Sequence, residues 1–492
     1  MELDIEDIET PEIYDKFSMA DAALEKGIGY FLDSIKELSI KIIELIIASV
    51  LIATLHPIII IVLIGCTFLS SWIQKKRMQF ERDFDVESIG ERRKYSYFYD
   101  TVNDFIYGKE IRIYGIKDKF MVRIGALTDK YISMLRKTKA KSNKWQGFYN
   151  SINYIQQAGI YIYMIVAFSF KMITIGGFTA YLGSIERFKN ALNAISETII
   201  KMNDMGFRIL DLQSFLSIES KLCKTHKGDV YIRDCHNYDI RFVNVGFHYP
   251  NSDIMVLKNV NITIPYGEKL TIVGENGAGK TTFIKLLLRL YDPTEGDIYL
   301  GNRNIRDLPL EEYHGILAAV FQDYKMLSFT VKENIEFGKE PETEEDRIHE
   351  ILHMVNMDTK IDSLPLGLDT YLYRDYNEDG VEMSGGEMQR LAIARAINRD
   401  ACIFIMDEPA SALDAIAEEE IYRLFEKIIA KNTGIFISHR MSSARLGDKI
   451  VLFSNGEIAE YGTFDDLIKI KGKFFEMYKM QAQYYVGTRK NR

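Results

Sequence analysis

The chain has 492 residues, which is enough for two or three domains of ordinary size. Its hydrophobic content of 47% is ordinary for a mixed protein, but the apolar residues are unevenly distributed. The formal net charge is −9 and no basic patch is interleaved with aromatic residues, which argues against a nucleic-acid-binding protein. Residues 1–15 are acidic and carry no apolar signal-peptide core, so we expect the N-terminus to stay in the cytoplasm.

Long uncharged stretches in the first half predict a transmembrane domain. Residues 45–73 contain no charged side chain, and this run is too long for one span of about 20 residues. A break at His56 and Pro57 would give two short spans joined by a tight turn. Residues 58–64 are apolar on every face, which favours lipid over a buried pair of core helices. We therefore expect an all-α transmembrane domain at residues 1–216, with spans at 38–55, 57–74, 148–170 and 178–200.

The basic residues indicate how these spans are oriented. Lysines and arginines are frequent at 75–94 and 136–144, which places the segment between the second and third spans in the cytoplasm. The fourth predicted span meets Glu186, Arg187 and Lys189 early. Either it lines a polar cavity, which would suit a transport path, or it leaves the membrane early. We favour the cavity.

After a polar linker at residues 217–238, the chain changes to alternating strands, Gly-rich turns and helices. This pattern predicts an α/β domain at 239–492. Residues 274–282 read GENGAGKTT, which matches a phosphate-binding loop (P-loop). The loop lies between an apolar strand at 270–273 and an apolar helix at 283–290, which is the context that this motif requires.

Two sets of residues in this domain suit phosphate chemistry. The glycines of the loop let backbone N–H groups close around phosphate oxygens, and Lys280 brings a positive charge to the β- and γ-phosphates. The hydroxyl of Thr281 can ligate Mg²⁺. Residues 401–406 form a continuously apolar strand that ends at Asp407 and Glu408. There an aspartate can hold Mg²⁺ and a glutamate can polarise an attacking water, although such acidic pairs also occur as solvated loop residues.

Further strands carry other candidates. Tyr249 ends an alternating strand at 240–249, where it could stack on a base or be an ordinary half-buried tyrosine. Residues 434–437 form a strand that leads to His439, and residues 451–458 read as a late β-hairpin.

These elements follow the order of the motifs in ATP-binding cassette (ABC) proteins. The order is Tyr249, the loop at Gly274, Gln322, SGGEMQR at 384–390, IMDEP ending at Pro409, SALD at 411–414, and His439. Residues 239–485 therefore resemble the nucleotide-binding domain of an ABC protein, an α/β P-loop NTPase domain with a helical subdomain. Two positions of the signature motif depart from the family pattern: Met383 replaces a leucine, and Glu387 replaces a glutamine and adds a negative charge near the nucleotide.

The resemblance implies an ATP hydrolase and a role for each matching residue. Tyr249 would stack on adenine. ATP would also be held by Gly274, Glu275, Asn276, Gly277, Ala278, Gly279, Lys280, Thr281 and Thr282. Mg²⁺ would be held by Thr281, Gln322 and Asp407. The catalytic residues would be Glu408 as general base, His439 at the γ-phosphate, and Gln322 near the metal and water.

The signature motif implies a partner. Ser384, Gly385 and Gly386 open a helix, whose N–H groups and dipole suit an anion. In this family the anion is the γ-phosphate bound by the opposite subunit. The resemblance therefore implies a homodimer or heterodimer of half-transporters that meet through ATPase domains and membrane helices, with Asp414 at the interface.

The order of membrane domain and ATPase domain resembles the exporter branch of the family. Residues 107–112 lie where exporters place a coupling helix, although a charged surface helix is the simpler interpretation. Exporter halves have six spans, so the resemblance implies that the first two are absent from this chain. We expect ATP-driven export of an unidentified substrate (peptide, lipid or drug-like) across the cytoplasmic membrane. The alternative is a non-transporting, membrane-anchored ATPase or a regulatory subunit.

Overall fold

The computed structural model describes most of the chain in two compact units. The described residues are 3–222 and 238–487, except 27, 251, 338–343, 376, 409–422, 428, 430–431, 439–440 and 442. One unit comprises residues 8–218, and the other comprises the chain from 219 onward together with the first seven residues. Within the second unit, the carboxylate of Asp4 accepts hydrogen bonds from the Ser220 hydroxyl and, at 2.7 Å, from the backbone N–H of Lys221.

The first unit is built from helices, as its apolar and amphipathic runs predict. In chain order its helices are α2 Pro11–Lys26, α3 Ile28–Leu55, α4 Pro57–Glu87, α5 Ile89–Asn103, α6 Gly108–Ile113, α7 Lys117–Ser169 and α8 Ile175–Leu216. Helix α1, Ile5–Ile8, precedes them and belongs mostly to the other unit. The predicted all-α domain is confirmed.

A single residue separates α3 from α4. His56 precedes α4 and its ring Nδ1 accepts a hydrogen bond of 3.4 Å from the backbone N–H of Ile58. Pro57 occupies the first turn of α4, where a missing N–H costs the helix no hydrogen bond. The break predicted at this point is confirmed.

Two helices in the described part of the chain have the length and composition of membrane spans. They are Phe31–Leu55 and Pro57–Glu87, and only 11% and 22% of their most apolar windows are buried within the protein. A core helix of a soluble protein would be mostly buried, so these exposed apolar surfaces have transmembrane character. Residues 148–169 lie within α7 and residues 178–200 within α8. Neither helix meets the same criterion, so the third and fourth spans stay predictions.

The second unit combines two sheets with surrounding helices. Its strands are β1 Ile240–Phe247, β2 Leu257–Ile264, β3 Lys269–Gly274, β4 Glu295–Leu300, β5 Arg303–Asn304, β6 Leu317–Val320, β7 Ile403–Asp407, β8 Thr433–Ile437, β9 Lys449–Ser454 and β10 Glu457–Gly462. Its helices are α9 Lys280–Leu287, α10 Leu310–Gly315, α11 Val331–Glu336, α12 Glu345–Met354, α13 Asp358–Asp362, α14 Gly385–Asn398, α15 Phe464–Ile470 and α16 Lys473–Gly487.

The strand order explains where the site lies. One sheet has the order β2-β1-β4-β5 and is antiparallel. The other has the order β10-β9-β3-β8-β7-β6, in which all strands except β10 run parallel. Ile272 of β3 pairs with Ile437 of β8, and Ile437 also pairs with Asp407 of β7. The loop after β3 and the acidic end of β7 therefore lie at the same edge, on either side of β8.

The apolar residues of this unit form separate layers. One cluster joins both sheets to α9, with the rings of Phe242 and Phe283 stacked 4.2 Å apart. Another joins β6 and β7 to α11, α12 and α14 and includes Met388 and Leu391. The second cluster is the core of the helical subdomain that the resemblance implies, and the predicted α/β domain is confirmed.

Helix α9 is shorter than the apolar run at 283–290 predicts. It ends at Leu287, and Arg289 adopts a left-handed backbone with φ of 51°. The Arg289 side chain is buried and donates hydrogen bonds to the carbonyl groups of Leu222, Arg306 and Leu308. The left-handed backbone at Arg289 is incompatible with a continued helix, and the guanidinium group contacts these three acceptors.

Candidate functional site

The phosphate-binding loop follows the buried strand β3, as its sequence predicts. A Cβ atom on Gly274 would lie 2.5 Å from the carbonyl oxygen of Phe453, and one on Gly279 would lie 2.6 Å from Leu257 Cδ2. These two glycines also have φ of 151° and 104°, in the region that other residues avoid. The loop can pass this close to its neighbours only because both positions lack a side chain.

Lys280, the first residue of α9, folds back over the loop. Its Nζ donates hydrogen bonds to the carbonyl oxygens of Gly274 at 2.9 Å and Glu275 at 3.0 Å. The side chain is buried, and this burial lowers the pKa of Lys280 against the opposing effect of Glu408 and Asp407. The two acidic residues at the end of β7 are thus electrostatically close to the lysine of the loop.

Asp407 is the most perturbed carboxyl group at this edge. Burial, and next the charge of Glu408, raise the pKa of Asp407 to about 6, while a hydrogen bond from Thr281 opposes this rise. The residue is 3% exposed, and its Oδ1 atom has no hydrogen-bond partner among the described residues. A buried carboxylate oxygen without a partner, beside a hydroxyl group, is a donor set that suits a hard cation.

Glu408 has an unusual backbone. Its φ is 52°, and its N–H donates to the carbonyl of Ile437 at 3.2 Å. A residue other than glycine in this region costs about 1–3 kcal/mol, and such strain occurs where function requires a fixed side-chain position. Its assignment as the general base stays a prediction.

Tyr249 is fixed beside the loop. Its hydroxyl lies 3.1 Å from Thr282 Oγ1, and its ring contacts Phe247 and Tyr291 edge-on at centroid distances of 5.1 and 5.5 Å. Strand β1 ends at Phe247, so Tyr249 lies in the following turn and not within the predicted strand. Both interpretations, a stacking tyrosine and a half-buried one, stay open.

Gln322 lies in a turn just after β6, at the same edge as Asp407 and β7. Its neighbour Asp323 is close enough to contribute to the raised pKa of Asp407. Two residues after Gln322, the Tyr324 hydroxyl donates to the carbonyl of Gly385 at 2.9 Å. This hydrogen bond joins the segment after β6 to the signature motif, and no sequence motif marked Tyr324 for that role.

The signature motif begins helix α14, as predicted. Ser384 is the N-cap residue, and it forms a capping box with Glu387. Met383 is partly buried and packs against the core of the helical subdomain. Helix α14 belongs to that core and not to the cluster beneath the phosphate-binding loop. The structure thus brings Lys280, Thr281 and Asp407 together but assigns Ser384 to another layer.

The remaining predicted site residues can be located only in part. Glu275, Asn276, Gly277 and Ala278 lie in the loop between β3 and α9, and Gly386 lies in the first turn of α14. His439 and Asp414 lie outside the described residues.

A polar cavity of about 270 Å³ lies between α7 and α8. Its polar lining residues are Gln157, Tyr161, Glu186, Lys189 and Asn190. The Gln157 amide donates to the Tyr161 hydroxyl at 3.3 Å, and that hydroxyl donates to Glu186 Oε1 at 3.4 Å. Helix α8 therefore borders a polar cavity, and the membrane span predicted at 178–200 stays a prediction.

Comparison with known proteins agrees with this architecture. Residues 257–411 match the family model described as ABC transporter. The subtilin transport ATP-binding protein SpaT of Bacillus subtilis is 32% identical over 470 residues, which are 95% of this chain and 76% of that protein. The nisin transport ATP-binding protein NisT of Lactococcus lactis subsp. lactis is 30% identical over 390 residues, which are 79% of this chain and 64% of that protein.

Two further matches extend the comparison. The ATP-dependent lipid A-core flippase of Escherichia coli (strain K12) is 36% identical over 243 residues, which are 49% of this chain and 41% of the flippase. The solved structure of a bacterial Atm1-family ABC exporter with ATP bound has the same fold. Its TM-score is 0.75 at 22% identity, and the match covers 96% of this chain and 81% of that one. The chain belongs to the ABC transporter family and is an ATP-hydrolysing exporter protein in which a helical domain precedes the ATPase domain.

Proposed function

We propose that this chain is one half of a dimeric exporter that uses ATP and Mg²⁺ to move a peptide across the cytoplasmic membrane. The observation that carries the proposal is the cluster of Lys280, Thr281 and Asp407 at one edge of the sheet. In the same chain, α3 and α4 expose apolar surfaces of transmembrane character. The ATPase domain would lie in the cytoplasm.

The residues present fit a bound magnesium ion. The Thr281 hydroxyl and the Asp407 carboxylate would hold it, with Gln322 at the same edge, and the unpartnered Oδ1 of Asp407 supports this assignment. When bound, the ion neutralises charge that develops on the phosphate oxygens.

The protein's own groups would perform the other steps. Lys280 would exchange its two carbonyl acceptors for β- and γ-phosphate oxygens, and the loop N–H groups would bind the remaining phosphate oxygens. Glu408 would accept a proton from the attacking water. Its strained backbone supports a fixed position for the carboxylate.

We assign the signature motif to the nucleotide of a second subunit, either a copy of this chain or a different half. Ser384 and the N–H groups of Gly385 and Gly386 would bind the γ-phosphate that the partner holds. The location of α14 in the helical subdomain, away from the chain's own loop, supports an action in trans. His439 and Asp414 would complete the two-site assembly.

We take a peptide as the substrate class. The relatives named for subtilin and nisin transport match 95% and 79% of this chain, whereas the lipid A-core flippase matches 49%. The polar cavity between α7 and α8 supports this choice, because it offers amide, phenol and both signs of charge. Charges at membrane depth require polar contacts, and a peptide backbone with charged groups would provide them.

The test is ATP hydrolysis by the full chain in proteoliposomes, with nisin and lipid A as separate probes. We expect hydrolysis that requires Mg²⁺, rises with the peptide and does not respond to the lipid. Stimulation by lipid A alone would overturn the substrate class. Hydrolysis that neither probe changes would favour an ATPase that does not transport.

A further inference from the structure

The carboxylate of Glu387, where the family pattern has a glutamine, is held from two sides. Its Oε2 accepts hydrogen bonds from the Ser384 N–H at 2.8 Å and from the Ser384 hydroxyl at 2.9 Å. Its Oε1 lies 3.0 Å from the Nζ of Lys360. The backbone N–H of Glu387 donates in return to Ser384 Oγ at 3.4 Å. Both carboxylate oxygens are therefore engaged.

This arrangement conflicts with the binding of an anion at the start of α14. The Ser384 hydroxyl carries one proton, which it donates to Glu387, and a phosphate at this helix end would need the same donor. A charged Glu387 in the first turn would also repel the phosphate at short range. The glutamine of the family pattern carries no such charge.

Lys360 provides the compensating charge. The Ser384 N–H and then the hydrogen bond from Lys360 lower the pKa of Glu387, so the carboxylate is ionised at neutral pH and pairs with the ammonium group. Lys360 belongs to α13, and a second contact ties this region to α14, because Arg390 donates to the carbonyl of Asn356 at 3.3 Å. The lysine is thus presented by a packed element that is fixed against the signature helix.

We propose that Lys360 is a positioning residue for the nucleotide of the partner subunit. Its charge makes a glutamate at position 387 compatible with a phosphate at Ser384, Gly385 and Gly386. When the Ser384 hydroxyl turns to the phosphate, Glu387 keeps the Ser384 N–H and the Lys360 ammonium as partners. The inference rests on the proposed role of the signature motif in trans.

The test is a double-mutant cycle on equilibrium ATP binding. The full chain carries Glu408→Gln throughout, so that bound ATP is retained, and is compared with Lys360→Met, Glu387→Gln and the double variant. We expect Lys360→Met to weaken ATP affinity about two- to fivefold, as for a partly exposed ion pair. In the Glu387→Gln background the same change has no effect, because the charge that Lys360 balances is gone.

Two controls separate charge from structure. Lys360→Arg keeps the positive charge and retains the affinity of the parent. Lys332→Met removes a lysine from another ion pair of the helical subdomain, 3.6 Å from Glu345, and leaves affinity unchanged. The effect of Lys360→Met also shrinks when the salt concentration rises from about 0.05 to about 0.5 M.

The outcomes distinguish this inference from the proposed function. If Ser384→Ala leaves ATP affinity unchanged, the role of the signature motif in trans is wrong and the inference fails with it. If Ser384→Ala weakens binding but Lys360→Met acts equally beside Glu387 and beside glutamine, only the inference is overturned. No effect of Lys360→Met would overturn it as well.

Discussion

The two units of this chain differ in the burial of their apolar residues. In the ATPase unit the strand residues Ile272, Ile405 and Ile435 are at most 1% exposed. In the helical unit, Ile46 and Val50 of α3 are 56% and 63% exposed. The apolar strand residues of the ATPase unit are buried within the chain, whereas the exposed apolar surface of α3 requires lipid or another subunit to cover it.

The two units also differ in the burial of their charged side chains. Lys280 and Asp407 are buried beside the phosphate-binding loop, where contacts within the unit fix their positions and shift their pKa values. Glu186 in the helical unit is exposed and contacts Tyr161 at the rim of a cavity. The candidate ATP site is therefore held by contacts within its own unit, whereas the proposed transport path lies at an exposed surface of the helices.

The largest effect is expected at the lysine of the loop. Replacing Lys280 by Ala removes the buried charge that would meet the phosphates, and we expect ATP turnover to fall about 10²- to 10³-fold. Steady-state hydrolysis in proteoliposomes measures the change. Circular dichroism serves as the control that the variant is folded. Turnover within about threefold of the parent value would contradict the assignment.

The burial of Asp407 makes the stability of the ATPase unit depend on pH. Because its folded pKa is about 6, above the ordinary 3.8, the folded ATPase unit loses stability as pH rises between these values. The difference corresponds to about 3 kcal/mol, an upper limit on the stability gained at pH 7 when Asn replaces the buried carboxylate. We expect Asp407→Asn to raise Tm at pH 7 but not at pH 4, although turnover falls. If the variant and the parent have the same Tm at pH 7, the Asp407 carboxylate is not both buried and charged.

The glycines of the loop permit a matched pair of variants. Gly274→Ala would bring a Cβ atom to 2.5 Å from the Phe453 carbonyl oxygen, whereas Gly277→Ala meets no atom within 4 Å. Both carry the cost of a positive φ, about 1–3 kcal/mol, and only the first adds a clash with the backbone. We therefore expect a larger fall in Tm for Gly274→Ala. Equal falls in Tm for the two variants would mean that β9 does not pack tightly against Gly274.

The smallest effect is expected in the helical unit, at the cavity. Glu186→Gln removes a charge that lines the cavity, and we expect peptide stimulation of hydrolysis to weaken about tenfold with basal hydrolysis unchanged. Arg187→Gln changes the neighbouring charge, which does not line the cavity, and serves as the control. The assignment of the cavity to the transport path fails if both variants behave alike.

The sequence was sufficient to predict those parts of the site that lie within a short segment of the chain. The glycines of the phosphate-binding loop, the apolar strand before it and the acidic end of β7 each need only local residues. Their positions agree with the structure. The predicted β-hairpin also forms, because Asn455 and Gly456 adopt positive φ and connect β9 to β10.

Sequence reasoning missed structural features that depend on contacts between residues far apart in the chain. The buried side chain of Arg289 bonds to the carbonyl groups of Leu222 and Leu308, which no local pattern around Arg289 reveals. The motif showed only that Glu387 adds a negative charge, because its partner Lys360 is contributed by another helix. The segments predicted as the third and fourth spans lie in long helices whose apolar character is interrupted, so these two spans stay predictions.

The most direct test of the account compares Glu408→Gln with the parent chain, measuring both ATP binding and ATP turnover. We predict that the variant binds ATP in the presence of Mg²⁺ with undiminished affinity and hydrolyses none of it above background. Hydrolysis at the parent rate would contradict the assignment of Glu408 as the base at the edge where Lys280, Thr281 and Asp407 meet.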